Sequence, residues 1–166
     1  MKRKKSSSTE SFYVAVESPV GTLYLLFTEN TLRGIEFRRP NEMLRRSDAP
    51  ASIIRELREY FAHGRQNFTQ KISLTKGSDF DRNVWLALRE IPYGETRTYK
   101  WLAEQIGKPN AFRAVGQSLG RNPLPIILPC HRVIESDGSL GGYSAGTDIK
   151  RRLLDIEYYI KLTKEV

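Results

Sequence analysis

A change of hydrophobic period after Pro50 constrains what this chain can fold into more than any other feature. Before it, apolar residues come in short β-branched and aromatic runs cut by turn signals. Phe12 to Glu17 is the first run and Ser18-Pro19-Val20-Gly21 the turn that ends it. Leu23 to Thr28 is the second run, Glu29-Asn30 turns again, and Thr31 to Arg38 is the third, with Leu32, Ile35 and Phe37 as its apolar members. Runs of this kind between turn residues predict strands. Pro40 to Pro50 is polar and predicts a loop. From there the spacing becomes helical: Ile53, Leu57, Tyr60 and Phe61 predict a helix over Ser52 to Ala62, ended by Gly64. Phe68, Ile72 and Leu74 suggest one further extended piece, and Thr75-Lys76-Gly77-Ser78 reads as a linker. Nothing in this half looks chemical. His63, beside a helix-ending Gly, reads as a cap or surface residue.

Beyond the linker the pattern is mostly helical. Ser78 or Asp79 can cap a helix whose stripe is Phe80, Val84, Leu88 and Ile91, with Trp85 alongside, and Ile91-Pro92-Tyr93-Gly94 stops it. Thr98 can cap a helix from Tyr99 to Ile106. Gly107-Lys108-Pro109-Asn110 is a tight turn, and Asn110 can cap a second helix from Ala111 to about Leu119. Two short helices joined by a Gly-containing turn resemble a helix-turn-helix. On the second, Ala111, Val115 and Leu119 share one face, while Arg113, Gly116, Gln117 and Gly120 share the other. Glycine inside a helix costs roughly 1 kcal/mol relative to Ala. Two of them beside one Arg point either to the close approach of a nucleic-acid groove or to loose packing against another helix. Near the C-terminus, Thr147 caps a helix with Ile149, Leu153, Ile156 and Ile160 as its stripe and Glu157 at the stripe's edge.

Charge narrows the partners. The net charge is +8, from 27 basic and 19 acidic residues, and it is unevenly spread. Lys2, Arg3, Lys4 and Lys5 lead into Ser6-Ser7-Ser8, which reads as a disordered basic arm. Between Arg82 and Arg132 the only acidic residues are Glu90, Glu95 and Glu104, while the stretch from Glu10 to Leu74 is nearly balanced. A basic helical half suggests a polyanion as partner, with nucleic acid the first candidate; a solvated basic surface is the alternative. No segment is long and apolar enough to span a membrane, and no apolar stretch of signal-peptide type follows the basic arm.

The chain has one cysteine, Cys130, in Ile126-Ile127-Leu128-Pro129-Cys130-His131-Arg132-Val133-Ile134. One Cys excludes an internal disulfide and a cysteine-rich zinc site, and it suits a reducing cytosol. A thiol beside an imidazole in an apolar, proline-stiffened segment is a candidate nucleophile; the plain alternative is a small buried hydrophobe. The prolines of Arg121-Asn122-Pro123-Leu124-Pro125 exclude a central strand before it. After it, Glu135 to Gly146 holds Gly138, Gly141, Gly142 and Gly146 around Tyr143 and Ser144, a composition suited to lining a substrate pocket.

Arg113-Ala114-Val115-Gly116, Asn122-Pro123, Pro129-Cys130-His131-Arg132-Val133 and Gly142-Tyr143-Ser144, with Gly94 and Tyr99 upstream and Glu157 downstream, closely resemble the methylated-DNA–protein-cysteine methyltransferases, the alkylguanine-DNA alkyltransferases. The resemblance is strong from about Phe80 to Glu157 and weaker before it. It implies an α+β fold: a small N-terminal β-sheet with one helix, then a mostly helical C-terminal domain with a winged helix-turn-helix. The expected domains are a basic disordered leader over 1–9, an N-terminal α/β domain over 10–74, a linker over 75–79 and a DNA-binding and alkyl-transfer domain over 80–166. It also implies a single-turnover repair reaction, in which an alkyl group moves from the six-position oxygen of guanine in DNA to Cys130. His131 would deprotonate the thiol through a water molecule, Glu157 would orient the histidine, Tyr99 would protonate the leaving guanine, and Asn122 would hold the turn that carries the thiol. Arg113 would fill the gap left by a flipped-out nucleotide as the helix-turn-helix enters the minor groove, with Gly116, Gln117, Lys100 and Ser136 also on the DNA side. Val133, Tyr143 and Ser144 would line the base pocket.

The expected partner is double-stranded DNA containing alkylated guanine, bound by a cytoplasmic monomer without a cofactor. Some relatives carry an N-terminal zinc site of Cys and His; that half here has no Cys, so no metal is expected. Two other readings remain: a damage-recognising DNA-binding module with an inert Cys130, and a cysteine hydrolase, which the basic helix-turn-helix disfavours.

Overall fold

The computed structural model describes residues 10–41, 43–48 and 50–165; the expected basic leader over 1–9 lies outside the described residues. The early strand signals form an antiparallel meander, β1 (Ser11–Ser18), β2 (Gly21–Thr28) and β3 (Thr31–Glu36). The stretch expected as loop throughout contains a two-residue strand, β4 (Arg45–Arg46), which pairs parallel with β1, so the sheet order is β3-β2-β1-β4. Its side chains are exposed, and what holds it is backbone pairing, extended by the Ser47 amide donating to the Tyr13 carbonyl at 2.9 Å. Side-chain polarity does not report that kind of edge pairing.

Helix α1 (Ala51–His63) lays Ile53, Glu56, Leu57 and Tyr60 inward and ends at Gly64, whose φ of 72° is the left-handed value that glycine supplies at helix ends. His63 is exposed. Ile72 bridges Leu32 of β3, as the further extended piece suggests.

In the second half, Ser78 and Asp81 form a capping box that starts α2 (Asp79–Ala87), and a 3-10 turn over Leu88–Glu90 follows. The Thr98 side chain accepts from the Trp101 amide at 3.0 Å and starts α3 (Tyr99–Gln105). Asn110 does not cap the next helix. The turn runs one residue further, closed by the Ala111 amide donating to Lys108 at 2.9 Å, so Ala111 takes the cap position and α4 spans Phe112–Gly120. Thr147 is likewise not a cap but the first residue of α5 (Thr147–Lys164); Gly146, at φ 103°, holds the cap position.

Helix α2 packs on both α3 and α4, and the Trp85 indole donates to the Ser118 carbonyl at 2.9 Å, locking α4 against it. A parallel pair of β5 (Arg97–Thr98) and β6 (Val133–Ile134) ties the start of α3 to the residues just after Cys130. The Ile35 amide of β3 donates to the Pro123 carbonyl at 2.9 Å, fastening the N-terminal sheet to the segment that leads to the thiol. Among the described residues, no helix is long and apolar enough to cross a membrane.

Candidate active site

The thiol sits on a clamped turn. Asn122 accepts from the Leu124 amide at 3.0 Å and donates to the Leu128 carbonyl at 2.8 Å, so one side chain spans both ends of the proline-rich loop. Inside the loop, Ile126 is held at φ 76° while 2% exposed. A β-branched residue in the left-handed region stores strain of roughly 1–3 kcal/mol, which the clamp and the surrounding core must offset. Cys130, His131 and Arg132 follow as a 3-10 turn. At three residues per turn, successive side chains diverge by about 120°. Cys130 therefore reaches a cavity while His131 points inward, where it is fully buried.

Behind the thiol lies a buried charge network centred on Glu157. Its Oε2 accepts from His131 Nε2 at 2.6 Å, Tyr60 Oη at 2.5 Å and Arg132 at 3.0 Å; its Oε1 accepts from Arg132 Nε at 2.8 Å and the Gly94 amide at 3.2 Å. Burial alone would raise the Glu157 carboxyl, but the electrostatic pull of the His131 ring and the hydrogen bonds from His131 and Arg132 outweigh it and hold the carboxyl well below the usual range. With Nε2 committed to Glu157, His131 Nδ1 is buried without a hydrogen-bond partner among the described residues.

In front of the thiol is a cavity of about 430 Å³, lined among others by Tyr99, Phe112, Arg113, Gly116, Cys130, Gly142, Tyr143 and Ser144. Burial pushes the Cys130 thiol up, against the smaller pull of the Asn122 amide and the Lys150 ammonium. Burial likewise raises Tyr99, helped by Glu135 and Cys130, so Tyr99 faces the cavity as an intact O–H donor. Gly141 sits at φ 69°, where an added Cβ would lie 2.7 Å from the Tyr99 hydroxyl, so only glycine lets the loop close over that group. Tyr143 Oη has no hydrogen-bond partner among the described residues; burial pushes its hydroxyl up, and Cys130 acts in the same direction.

The outward face of α4 is bare. Arg113, Gln117 and Gly120 are exposed. A Cβ on Gly116 would meet only Tyr99 at an ordinary 3.7 Å, and one on Gly120 would meet nothing within 4 Å. Neither glycine is therefore forced by the close approach of another helix, although Gly116 lies within ordinary contact range of Tyr99 on α3.

Of the residues singled out in the sequence, Tyr99, Arg113, Gly116, Cys130, Tyr143 and Ser144 meet at the cavity, and His131 and Glu157 stand behind it. Asn122 underlies the turn, and Val133 is fully buried, its carbonyl accepting from Lys150 at 2.7 Å. Lys100, Gln117 and Ser136 are exposed and do not line the cavity. Sequence reasoning missed Tyr60, Tyr93, Arg132 and Lys150. The Tyr93 hydroxyl donates to the Tyr60 carbonyl at 3.1 Å, and its ring lies 5.5 Å from the Arg132 guanidinium. Lys150, fully buried, also donates to the Gly142 carbonyl at 3.1 Å, joining the glycine-rich loop to β6. Its signal was legible: Lys150, Leu153 and Glu157 recur at helical spacing on one buried face. Tyr60 offered none, being one more aromatic in an apolar stripe. Among the described residues no group of three or more His, Cys, Asp or Glu could hold a metal.

Comparison with known proteins covers nearly all of these elements. Residues 11–74 match the family described as 6-O-methylguanine DNA methyltransferase, ribonuclease-like domain, and residues 79–159 match 6-O-methylguanine DNA methyltransferase, DNA binding domain. A methylated-DNA–protein-cysteine methyltransferase of Methanosarcina barkeri is 46% identical over 156 residues, covering 88% of this chain and 96% of the relative. The constitutive methylated-DNA–protein-cysteine methyltransferase of Bacillus subtilis is 38% identical over 158 residues, covering 89% and 95%. Among solved structures, O6-methylguanine methyltransferase of Mycobacterium tuberculosis superposes with a TM-score of 0.82 at 39% identity, covering 90% of this chain and 93% of that one.

Proposed function

Because this chain belongs to the methylated-DNA–protein-cysteine methyltransferase family, we propose that it repairs DNA by moving the alkyl group of guanine alkylated on its six-position oxygen onto its own Cys130. The observation that carries this reading is the position of Cys130 between two sets of groups: a cavity with Tyr99 and Arg113 on its wall in front, and the His131–Glu157 pair behind.

The thiol is held protonated by burial, so it needs a base. His131 Nδ1 is the atom left to take the proton. The thiol and imidazole make no direct hydrogen bond among the described residues, so the proton crosses by a water molecule. The sulfur then attacks the alkyl carbon, the carbon–oxygen bond breaks, and its electron pair goes to the guanine. Tyr99 protonates the ring as it leaves, which is general acid catalysis, and recovers a proton from the one taken off sulfur. In net terms the alkyl group ends on sulfur and the thiol proton on guanine. A thioether has no easy leaving group, so each molecule acts once.

The target base must leave the stack to reach the cavity, at a cost of a few kcal/mol. Arg113, exposed on the glycine-bare face of α4, fills the gap as α4 enters the minor groove, with Gly116 allowing close approach and Gln117, Lys100 and Ser136 contacting the backbone. Tyr143, Ser144 and the Val133 backbone shape the base pocket. A structure of Mycobacterium tuberculosis OGT in complex with DNA, with a TM-score of 0.81 and 39% identity to this chain, supports the DNA partner. In this reading 10–74 is a supporting domain, 75–79 a linker and 80–166 the reacting domain of a monomer, and the need for a reduced thiol supports a cytoplasmic setting.

Stoichiometry tests this. Duplex DNA carrying methyl-labelled guanine in excess should transfer one label per protein and then stop; no transfer, or continued turnover, would overturn the proposal.

A further inference from the structure

Glu157 has more donors than an imidazole relay requires. Arg132 and the Gly94 amide already neutralise and anchor it, yet Tyr60 adds a hydrogen bond of 2.5 Å to Oε2, the same oxygen that accepts from His131. The Tyr60 hydroxyl also stands 3.5 Å from His131 Nε2. It comes from α1, on the other side of the linker from every other member of the network. Its ring is fixed by edge contacts with Phe61 and Tyr93 and a tilted contact with Phe68, so the hydroxyl has one place to point. A phenylalanine would meet the packing demand equally well, since the neighbours of the ring are the aromatic rings of Phe61, Phe68 and Tyr93.

We propose that Tyr60 is a positioning residue for alkyl transfer: its hydroxyl shares Glu157 Oε2 with His131 Nε2, limits how tightly the carboxylate grips the imidazole proton, and keeps Nδ1 free to accept the thiol proton. The site is then built by both halves of the chain, with α1 setting the basicity of a base that lies in the other half. This rests on the transferase reading above. The ionisable groups that interact with Glu157 besides His131 and Tyr60 are Arg132 on the 3-10 turn, Tyr93 after α2, and Tyr143 in the glycine-rich loop. A carboxylate with one donor fewer holds the imidazole proton more strongly, so a histidine acting as base should work only at higher pH.

The test compares full-length Tyr60→Phe with Phe68→Leu, which loosens the same packing but spares the hydroxyl. Tyr60→Phe should bind duplex DNA as the parent does, transfer methyl about tenfold more slowly near neutral pH, as loss of one hydrogen bond to a charged group allows, and show an acid limb of the pH–rate profile moved to higher pH. The downfield proton resonance of His131 Nε2–H should move with it. Phe68→Leu should lower the melting temperature and leave the profile and the resonance in place. Tyr60→Phe with a parental profile and resonance would overturn the proposal, and so would Phe68→Leu moving both equally. If the parent transferred no methyl at all, the transferase reading would fail, while the resonance would still decide whether Tyr60 governs the His131 proton.

Discussion

At the scale of single residues, chemistry is divided among groups whose surroundings set their protonation. Tyr99 is kept neutral by burial and by nearby Glu135 and Cys130, which suits a proton donor. Tyr99→Phe should therefore slow methyl transfer by about 10²-fold, the low end of general acid contributions, with DNA affinity unchanged; single-turnover kinetics and a binding titration read the two separately. Lys150 plays a different part. Its ammonium donates to two carbonyls and draws the thiol toward ionisation, opposing the burial that pushes it up. Lys150→Met should move the pH dependence of Cys130 alkylation by iodoacetamide to higher pH and destabilise the fold by about 1–3 kcal/mol, the cost of unpaired buried polar groups. Alkylation at the parental pH would contradict that electrostatic role.

At the scale of elements, α4 and the turn before Cys130 do the placing. Trp85 and the buried pair Val115 and Leu119 fix α4, leaving Arg113 exposed on its outer face. On the proposed base-flipping role of Arg113, Arg113→Ala should cut repair in duplex DNA by at least tenfold, since flipping costs a few kcal/mol. Reaction with free alkylated guanine base should be little changed, and a kinetic comparison of the two substrates checks this. Elements of this kind were largely legible in the sequence. Period-3.6 stripes located α1 and α2, and the cap chemistry of Ser78 and Thr98 located two helix starts. What was not legible depends on backbone partners. Asn110 and Thr147 have capping side chains but sit one place away from the cap, because a turn closed at Ala111 and Gly146 took the position. The edge strand β4 exists only by pairing with β1, and the 3-10 turn at Cys130 reflects the Asn122 clamp rather than local preference.

At the scale of the whole molecule, Glu157 joins both halves and makes the site a determinant of stability. The carboxyl is held well below its ordinary 4.5 in the folded state. A depressed carboxyl contributes stability above its unfolded value that is lost as pH falls, so the folding free energy should be full above about pH 4.5 and decline steadily below it. Asp81, held down chiefly by Arg121, adds in the same direction. Glu157→Gln should flatten that decline while costing roughly 3–5 kcal/mol at neutral pH, because Arg132 is left buried with its charge unpaired; chemical denaturation across pH measures both. Tyr99, Arg113, Cys130 and Tyr143, which the fold brings to one cavity, could be singled out in the sequence because each belongs to a short local motif. The cross-linking of the halves through Tyr60 could not, since 97 positions separate it from Glu157 and nothing local marks the pairing.

The most direct test of the central claim is the mass of one peptide. After incubation with a duplex containing O6-methylguanine and digestion, the peptide holding Cys130 should be heavier by one methyl group, and the Cys130→Ser protein should bind the same duplex with no peptide modified. A Cys130 peptide of unchanged mass from protein shown to be bound to that DNA would contradict the account.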